Sequence, residues 1–207
     1  VPQCSPEDVL NRRADEMAAA DPALKSLIRE YHDGLLLCEI SNRTVWDKAA
    51  KDEAGLAAYF KKNRKRYKWE KPRFKGIAYW VKEQGDVEAV KASLKKVPFE
   101  QWPEHLRKEF NDSTIRIKVV KGIFREGDNA LIDKVVFGKD TTVADVKDFP
   151  ISATYGEKLK APKTYNDVRE LVVTDYQEQL EKAWIEALRK RYTVVLNKEV
   201  LSTVNKH

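Results

Sequence analysis

The stretch from Leu24 to Tyr67, LKSLIREYHDGLLLCEISNRTVWDKAAKDEAGLAAYFKKNRKRY, constrains this chain most, because it specifies a long amphipathic helix followed by a shorter one. Leu24, Ile28, Tyr31, Leu35, Cys38, Asn42, Val45 and Ala49 recur at alternating intervals of four and three. That spacing holds one stripe on a single side while Arg29, Asp33 and Arg43 lie elsewhere. Leu36, Leu37 and Ile40 widen the stripe. So broad an apolar face must be buried on another element, and helices of this kind make platforms for other chains. Asn42 inside the stripe either sets register against a partner helix or joins Ser41 in a kink.

Helix starts are marked on both sides of this segment. Ser5-Pro6-Glu7 and Asp21-Pro22 each place a capping side chain before a proline at the first helical position, which predicts a short helix over 6–20 and the start of the long one. Asp52 reads as the N-cap of a third helix carrying Leu56, Tyr59 and Phe60. That helix runs into KKNRKRYK, where six of eight residues from Lys61 to Lys68 are cationic, and Pro72 closes the helical part.

From Arg73 the pattern changes. RFKGIAYWVK reads as a strand, Gly85-Asp86 opens a helix with Val87, Val90 and Leu94, and Pro98 separates it from one bearing Trp102, Leu106 and Phe110. In TIRIKVVKGIF, Ile115, Ile117, Val119 and Ile123 share the period of two of a half-buried strand. A turn at 125–129 precedes LIDKVVF, a strand or short helix, and ISATYGEKLK is a further strand. After Pro162, the residues from Val168 through Tyr176 and Trp184 to Leu188 return to helical spacing, with Tyr176 and Trp184 expected in the core. The expected fold is α+β: long amphipathic helices from both ends of the chain, packed together and flanking a small α/β insert. The divisions read from the sequence are 1–70, 71–161 and 162–207.

Composition narrows the function classes. The 207 residues are 42% hydrophobic and 35% charged, enough for a core with well-solvated faces. With 39 Lys plus Arg against 33 Asp plus Glu the net charge is +6, but the signs are interspersed except in the run from Lys61 to Lys68. No apolar run approaches the roughly 20 residues of a membrane-spanning helix, so no transmembrane segment is expected. Cys4 and Cys38 make neither a metal site nor a disulfide framework; Cys38, on the apolar stripe, reads as a buried free thiol, with a Cys4–Cys38 bridge as the alternative. His32, His105 and His207 form no pair by spacing, and there is no GxSxG, HExxH, P-loop or GxGxxG motif, so neither a catalytic residue nor a cofactor or metal is expected.

The tail TYNDVRELVVTDYQEQLEKAWIEALRKRYTVV, together with the stretch around Tyr31-His32-Asp33-Gly34 and Trp46-Asp47-Lys48-Ala49, resembles the C-terminal region of SurA-like, parvulin-type periplasmic peptidyl-prolyl isomerases and chaperones. The resemblance covers about half the chain. It implies a periplasmic location, upstream parvulin domains and unfolded polypeptide clients such as outer-membrane proteins. It also implies that 71–161 holds a degenerate parvulin-like domain, since catalytic parvulins are expected to carry a histidine near the start of the first strand and another in the last. Neither FKGIAYWV nor ISATYGEKLK contains one.

The expected role is therefore non-catalytic polypeptide binding, in a cradle between the long helices and the insert. The alternatives are prolyl isomerase activity in the insert and an intramolecular scaffold for upstream isomerase domains. Candidate client-binding residues are Trp46, Tyr59, Phe60, Tyr79, Trp80 and Trp102. The candidate basic surface is Lys61, Lys62, Arg64, Lys65, Arg66 and Lys68. It reads as a solvated helix end, or as a surface for acidic clients or anionic lipid. With no nucleic-acid fold motif beside it, nucleic acid is not an expected partner.

Overall fold

The computed structural model describes residues 5–203 and is an α+β protein. In chain order the elements begin with helices α1 (Pro6–Ala20) and α2 (Pro22–Ser41), a π-helical turn (Asn42–Trp46), α3 (Asp47–Lys51), α4 (Glu53–Asn63) and a 3-10 turn (Arg64–Tyr67). Strand β1 (Arg73–Val81) follows, then α5 (Gln84–Leu94), α6 (Trp102–Phe110), β2 (Ile117–Phe124), α7 (Ala130–Val135) and β3 (Ile151–Leu159). Helices α8 (Arg169–Arg191) and α9 (Lys198–Leu201) complete the chain. Two compact units result, one holding the segments up to Tyr59 and from Glu170, the other Phe60–Arg169. The basic run and the residues from Pro162 to Arg169 thus belong with the sheet.

Capping chemistry sets the helix starts where the sequence places them. The Ser5 hydroxyl accepts from the Asp8 N–H at 3.1 Å, and Asp21 accepts from Ala23 and Leu24 at 2.9 and 3.3 Å. Asp52 accepts from the Gly55 N–H at 2.8 Å and opens α4 as expected. Asn42 is exposed and begins the π turn, so it does not act as a buried register residue; its place is at the irregularity after Ser41.

In the first unit the two ends of the chain meet through Asp52, Tyr59 and Tyr176. The Tyr59 and Tyr176 rings lie 5.7 Å apart, and the Tyr176 hydroxyl donates to Asp52 at 2.8 Å. Burial and this carboxylate push the Tyr176 phenol up to about 12. A Cβ on Gly55 would lie 2.3 Å from both the Tyr176 hydroxyl and an Asp52 carboxylate oxygen, so the bond needs glycine there. Val45, Ala49, Leu56 and Val172 are buried in the same unit, whereas α1 and α2 contribute no buried residue. The stripe read from the sequence is therefore covered only at its Val45 and Ala49 end. Cys38 is exposed, a correction to the buried thiol, because the α2 face that carries it is uncovered; Cys4 lies outside the described residues. Trp184 is half-buried, and α8 buries Val172 and Tyr176.

In the second unit the sheet order is β2-β1-β3, antiparallel throughout. Alternation along β1 sends Ile77, Tyr79 and Val81 to one face, against Val87, Val90 and Leu94 of α5 and Trp102, Leu106 and Phe110 of α6. Phe74 and Ala78 face the other way, with Phe124 and with Leu131 and Ile132 of α7. LIDKVVF is thus helical over its first residues, since Asn129 caps it by accepting from Leu131 and Ile132. The Tyr79 hydroxyl, wholly buried, donates to the Val87 carbonyl at 3.0 Å, avoiding the penalty of about 1–3 kcal/mol for an unpaired buried group.

Three glycines cross the sheet in register: Gly76 faces Gly122 on one side and Gly156 on the other. The Phe74 ring lies over Gly76 and Gly156, and the Phe124 ring lies over Gly122. A Cβ at Gly156, where φ is +153°, would stand 2.3 Å from the Lys75 carbonyl oxygen. Gly156→Ala is therefore expected to destabilise the second unit by more than about 2 kcal/mol, whereas Gly85→Ala, which meets nothing within 4 Å, stays within roughly 0.5 kcal/mol. Urea unfolding followed by tryptophan fluorescence measures both.

Candidate functional site: an exposed helix face, an aromatic groove and a basic concavity

Three surfaces stand out, each within one unit. The first is α2. Leu27, Tyr31, Leu35, Leu36 and Leu37 are 57–72% exposed, and Ile28 and Ile40 about half exposed. Single exposed apolar residues are ordinary on a protein surface, but Leu27, Ile28, Tyr31 and Leu35 recur on one side of α2 and form a patch, while Leu36, Leu37 and Ile40 lie around its other sides and do not widen it.

The second lies on the α5/α6 face of the sheet. Proline at 98 ends the approach from α5, and a 3-10 turn from Phe99 to Gln101 turns Phe99 and Trp102 onto the strands. Phe99 meets Trp102 edge-on at 5.0 Å, and Trp102 lies 5.5 Å from Tyr155 of β3. Trp102 is itself fixed by its indole N–H, which donates to the Val97 carbonyl at 2.8 Å. Two hollows flank this indole, of about 280 Å³ beside Lys75, Tyr155 and Glu157 and about 330 Å³ beside Ile77, Val119 and Lys121.

Charge in this groove is arranged around Phe99, whose ring centroid lies 4.6 Å from the Lys75 ammonium and 4.3 Å from that of Lys121. Partial burial, with Lys75 nearby, lowers the Lys121 pKa despite the opposing charge of Glu100. Lys75 also pairs with Asp167 at 2.6 Å, and that carboxylate accepts from the Lys163 and Thr164 N–H groups at 2.7 and 3.0 Å. Burial alone raises the pKa of Asp167, but Lys75 and the two backbone donors outweigh it and hold the group below the ordinary carboxylate range.

The third surface is the basic run. Lys61, Lys62, Arg64, Lys65, Arg66 and Lys68 line a concavity of about 660 Å³ whose other wall is Ala161 and Pro162. An Arg64 guanidinium N–H donates to the Pro162 carbonyl at 3.3 Å and ties the run to that wall. The concavity is invisible in the sequence, since its two walls lie almost a hundred residues apart.

Of the candidate client-binding residues, Trp46 is exposed and Trp80 half-buried. Tyr59, Phe60, Tyr79 and Trp102 are buried at 9%, 5%, 0% and 8% exposure. The first three are core side chains, so direct contact with a client is not open to them in this conformation; Trp102 lines both hollows of the groove. Their aromatic character marked them equally, because core and binding surfaces draw on the same residue types.

One cluster escaped the sequence. Ser93 Oγ lies 2.8 Å from His105 Nε2 and donates to Glu109 at 2.5 Å, and Glu109 reaches the same ring nitrogen at 3.0 Å. A base that activates a serine is approached through one ring nitrogen and oriented through the other. Here both partners meet Nε2, which makes a clip between α5 and α6. His32 is exposed beside Asp33, and His207 lies outside the described residues. Among the described residues no cluster of His, Cys, Asp or Glu could hold a metal, and no helix is long and apolar enough to cross a membrane.

No family model, curated protein or solved structure matches the chain.

The Asp167 pair yields a pH prediction. A carboxylate with a depressed folded pKa contributes stability that is fully present above its ordinary pKa and is lost as pH falls through the folded value. Asp167→Asn is expected to cost on the order of 3 kcal/mol near pH 7, since it leaves the ammonium of Lys75, a side chain 14% exposed, without its partner. In urea melts at a series of pH values, the gap between wild type and variant should close progressively below about pH 4.

Proposed function

We propose that this chain is a non-catalytic polypeptide-binding region of the SurA-like, periplasmic kind, which holds unfolded clients such as outer-membrane proteins. The observation that carries the proposal is the face of α2. Leu27, Ile28, Tyr31 and Leu35 share one side of this helix, Leu36, Leu37 and Ile40 lie around its other sides, and none is buried by the rest of the chain.

An unfolded segment offers what such a face lacks. Each apolar side chain covered by a client removes water from both partners, at roughly 25 cal/mol per Å². Ordering of the client opposes that gain, so affinity is modest and release needs no energy source. Leucine and isoleucine side chains impose no hydrogen-bond geometry, so recognition is tolerant of client sequence. The domain between the helices supports the reading in a second way: its order of strand, two helices, strand, short helix and strand is compatible with a parvulin-like domain, while both outer members of that series, β1 and β3, lack histidine.

The test is suppression of aggregation of an unfolded outer-membrane β-barrel protein, with prolyl-peptide isomerisation measured on the same sample. Suppression near stoichiometric ratio without isomerase activity is expected. Replacing Leu27, Tyr31 and Leu35 by Ser should abolish suppression while changing the free energy of urea unfolding by no more than about 1 kcal/mol, because none of the three is buried. Full suppression by that variant contradicts the proposal.

A further inference from the structure

We infer that the concavity between the Lys61–Lys68 run and the Ala161–Pro162 wall is a binding site for acidic polypeptide segments, stretches rich in Asp and Glu. The inference rests on the polypeptide-binding reading above and names a class of segment that the apolar face of α2 does not select.

The charge in this concavity exceeds what the fold uses. Elsewhere on the helices Arg43, Lys51 and Lys91 meet Glu39, Asp47 and Glu88. Lys61, Lys62, Lys65 and Lys68 have no carboxylate partner among the described residues, and all four are exposed. A helix C-terminus favours cations, but that effect fades within the last turn. Lys61 and Lys62 lie in the last turn of α4, and the 3-10 turn from Arg64 to Tyr67 carries the run on to Lys68, so the cations outnumber what one helix end favours.

The surface is also built. Tyr67 is buried and stacks on Phe60 at 5.7 Å, which anchors the 3-10 turn and leaves the flanking cations outward. The Arg64 bond to the Pro162 carbonyl fixes the opposite wall. Carboxylates entering the hollow would meet several ammonium groups at once beside the Arg64 and Arg66 guanidiniums, and the ammonium groups impose no two-pronged geometry. That arrangement suits a variable acidic stretch.

Other polyanions fit less well. Single-stranded nucleic acid needs exposed rings for base stacking. Here Tyr67 is buried, and Trp69 is half-buried beneath the Arg73 guanidinium at 4.9 Å. A bilayer is bound by a face that projects basic groups beside insertable apolar ones. The lining is concave, and Pro162, its principal apolar member, is buried.

The test titrates the full chain with a fluorescein-labelled Asp/Glu-rich peptide and a Gly/Ser control. Two charge-matched variants are compared, one with Lys61, Lys62, Lys65 and Lys68 changed to Ser and one with the exposed Lys95, Lys96, Lys134 and Lys147 changed to Ser. The first should bind the acidic peptide about tenfold more weakly than the second, and wild-type affinity should fall as salt rises from about 50 to about 300 mM. Equal binding by the two variants overturns the assignment. So does tighter binding of oligothymidylate, or of phosphatidylglycerol-containing vesicles, than of the peptide. Capture of the peptide by protein that fails to suppress aggregation refutes the α2 reading alone. Suppression without peptide capture refutes the concavity alone.

Discussion

Strand β1 is the constraint on which the second unit depends. It is hydrogen-bonded along both edges and covered on both faces, so each residue from Phe74 to Val81 answers to a neighbour. The close row Gly122, Gly76 and Gly156 follows from this, as do the two phenylalanine rings that lie on it. From β1 also comes Lys75, whose ammonium joins the strand to Asp167 and so holds the turn before α8. An ion pair this well covered is demanding: unpaired, either charge would cost several kcal/mol, and the two backbone donors on Asp167 offset its loss of water.

That rigid sheet contrasts with α2. A helix whose apolar residues stay exposed gains little from tertiary packing, and helix stability in proteins comes mostly from such packing. Its N-terminus is secured by Asp21, and its C-terminus passes into the π turn at Asn42. Local chemistry therefore defines the helix while its face stays uncommitted. The same separation appears in the basic run, where Tyr67 and Arg64 carry the structure and the four lysines remain unpaired among the described residues. In both places few of the exposed apolar or cationic side chains take part in the fold itself.

Much of this was legible in the sequence wherever one local signal decides. Ser5, Asp21 and Asp52 announced their helices, the aromatic and branched residues after Arg73 located β1, and period-two alternation located most of β2. Ile115 marks the limit: it continues the alternation, yet it is 59% exposed and precedes the strand. Amphipathic spacing identified the α2 stripe but not what covers it, and so Cys38 was misplaced, while of the two readings of Asn42 the irregularity beside Ser41 is the one the structure shows. Distant pairings left no trace at all. Lys75 with Asp167, Arg64 with Pro162, and Ser93 with His105 and Glu109 arise only when the fold brings their elements together.

The central claim is that the α2 face touches unfolded polypeptide, and Cys38 offers a direct probe because it is exposed on that helix. A benzophenone attached at Cys38 in a Cys4→Ser background, irradiated with an unfolded outer-membrane protein, reports contact by covalent capture. The same label on an introduced cysteine at Val120, exposed on β2, gives the comparison. Capture from Cys38 well above that from position 120 is the predicted result. Equal capture from both positions, or capture from position 120 alone, contradicts the account.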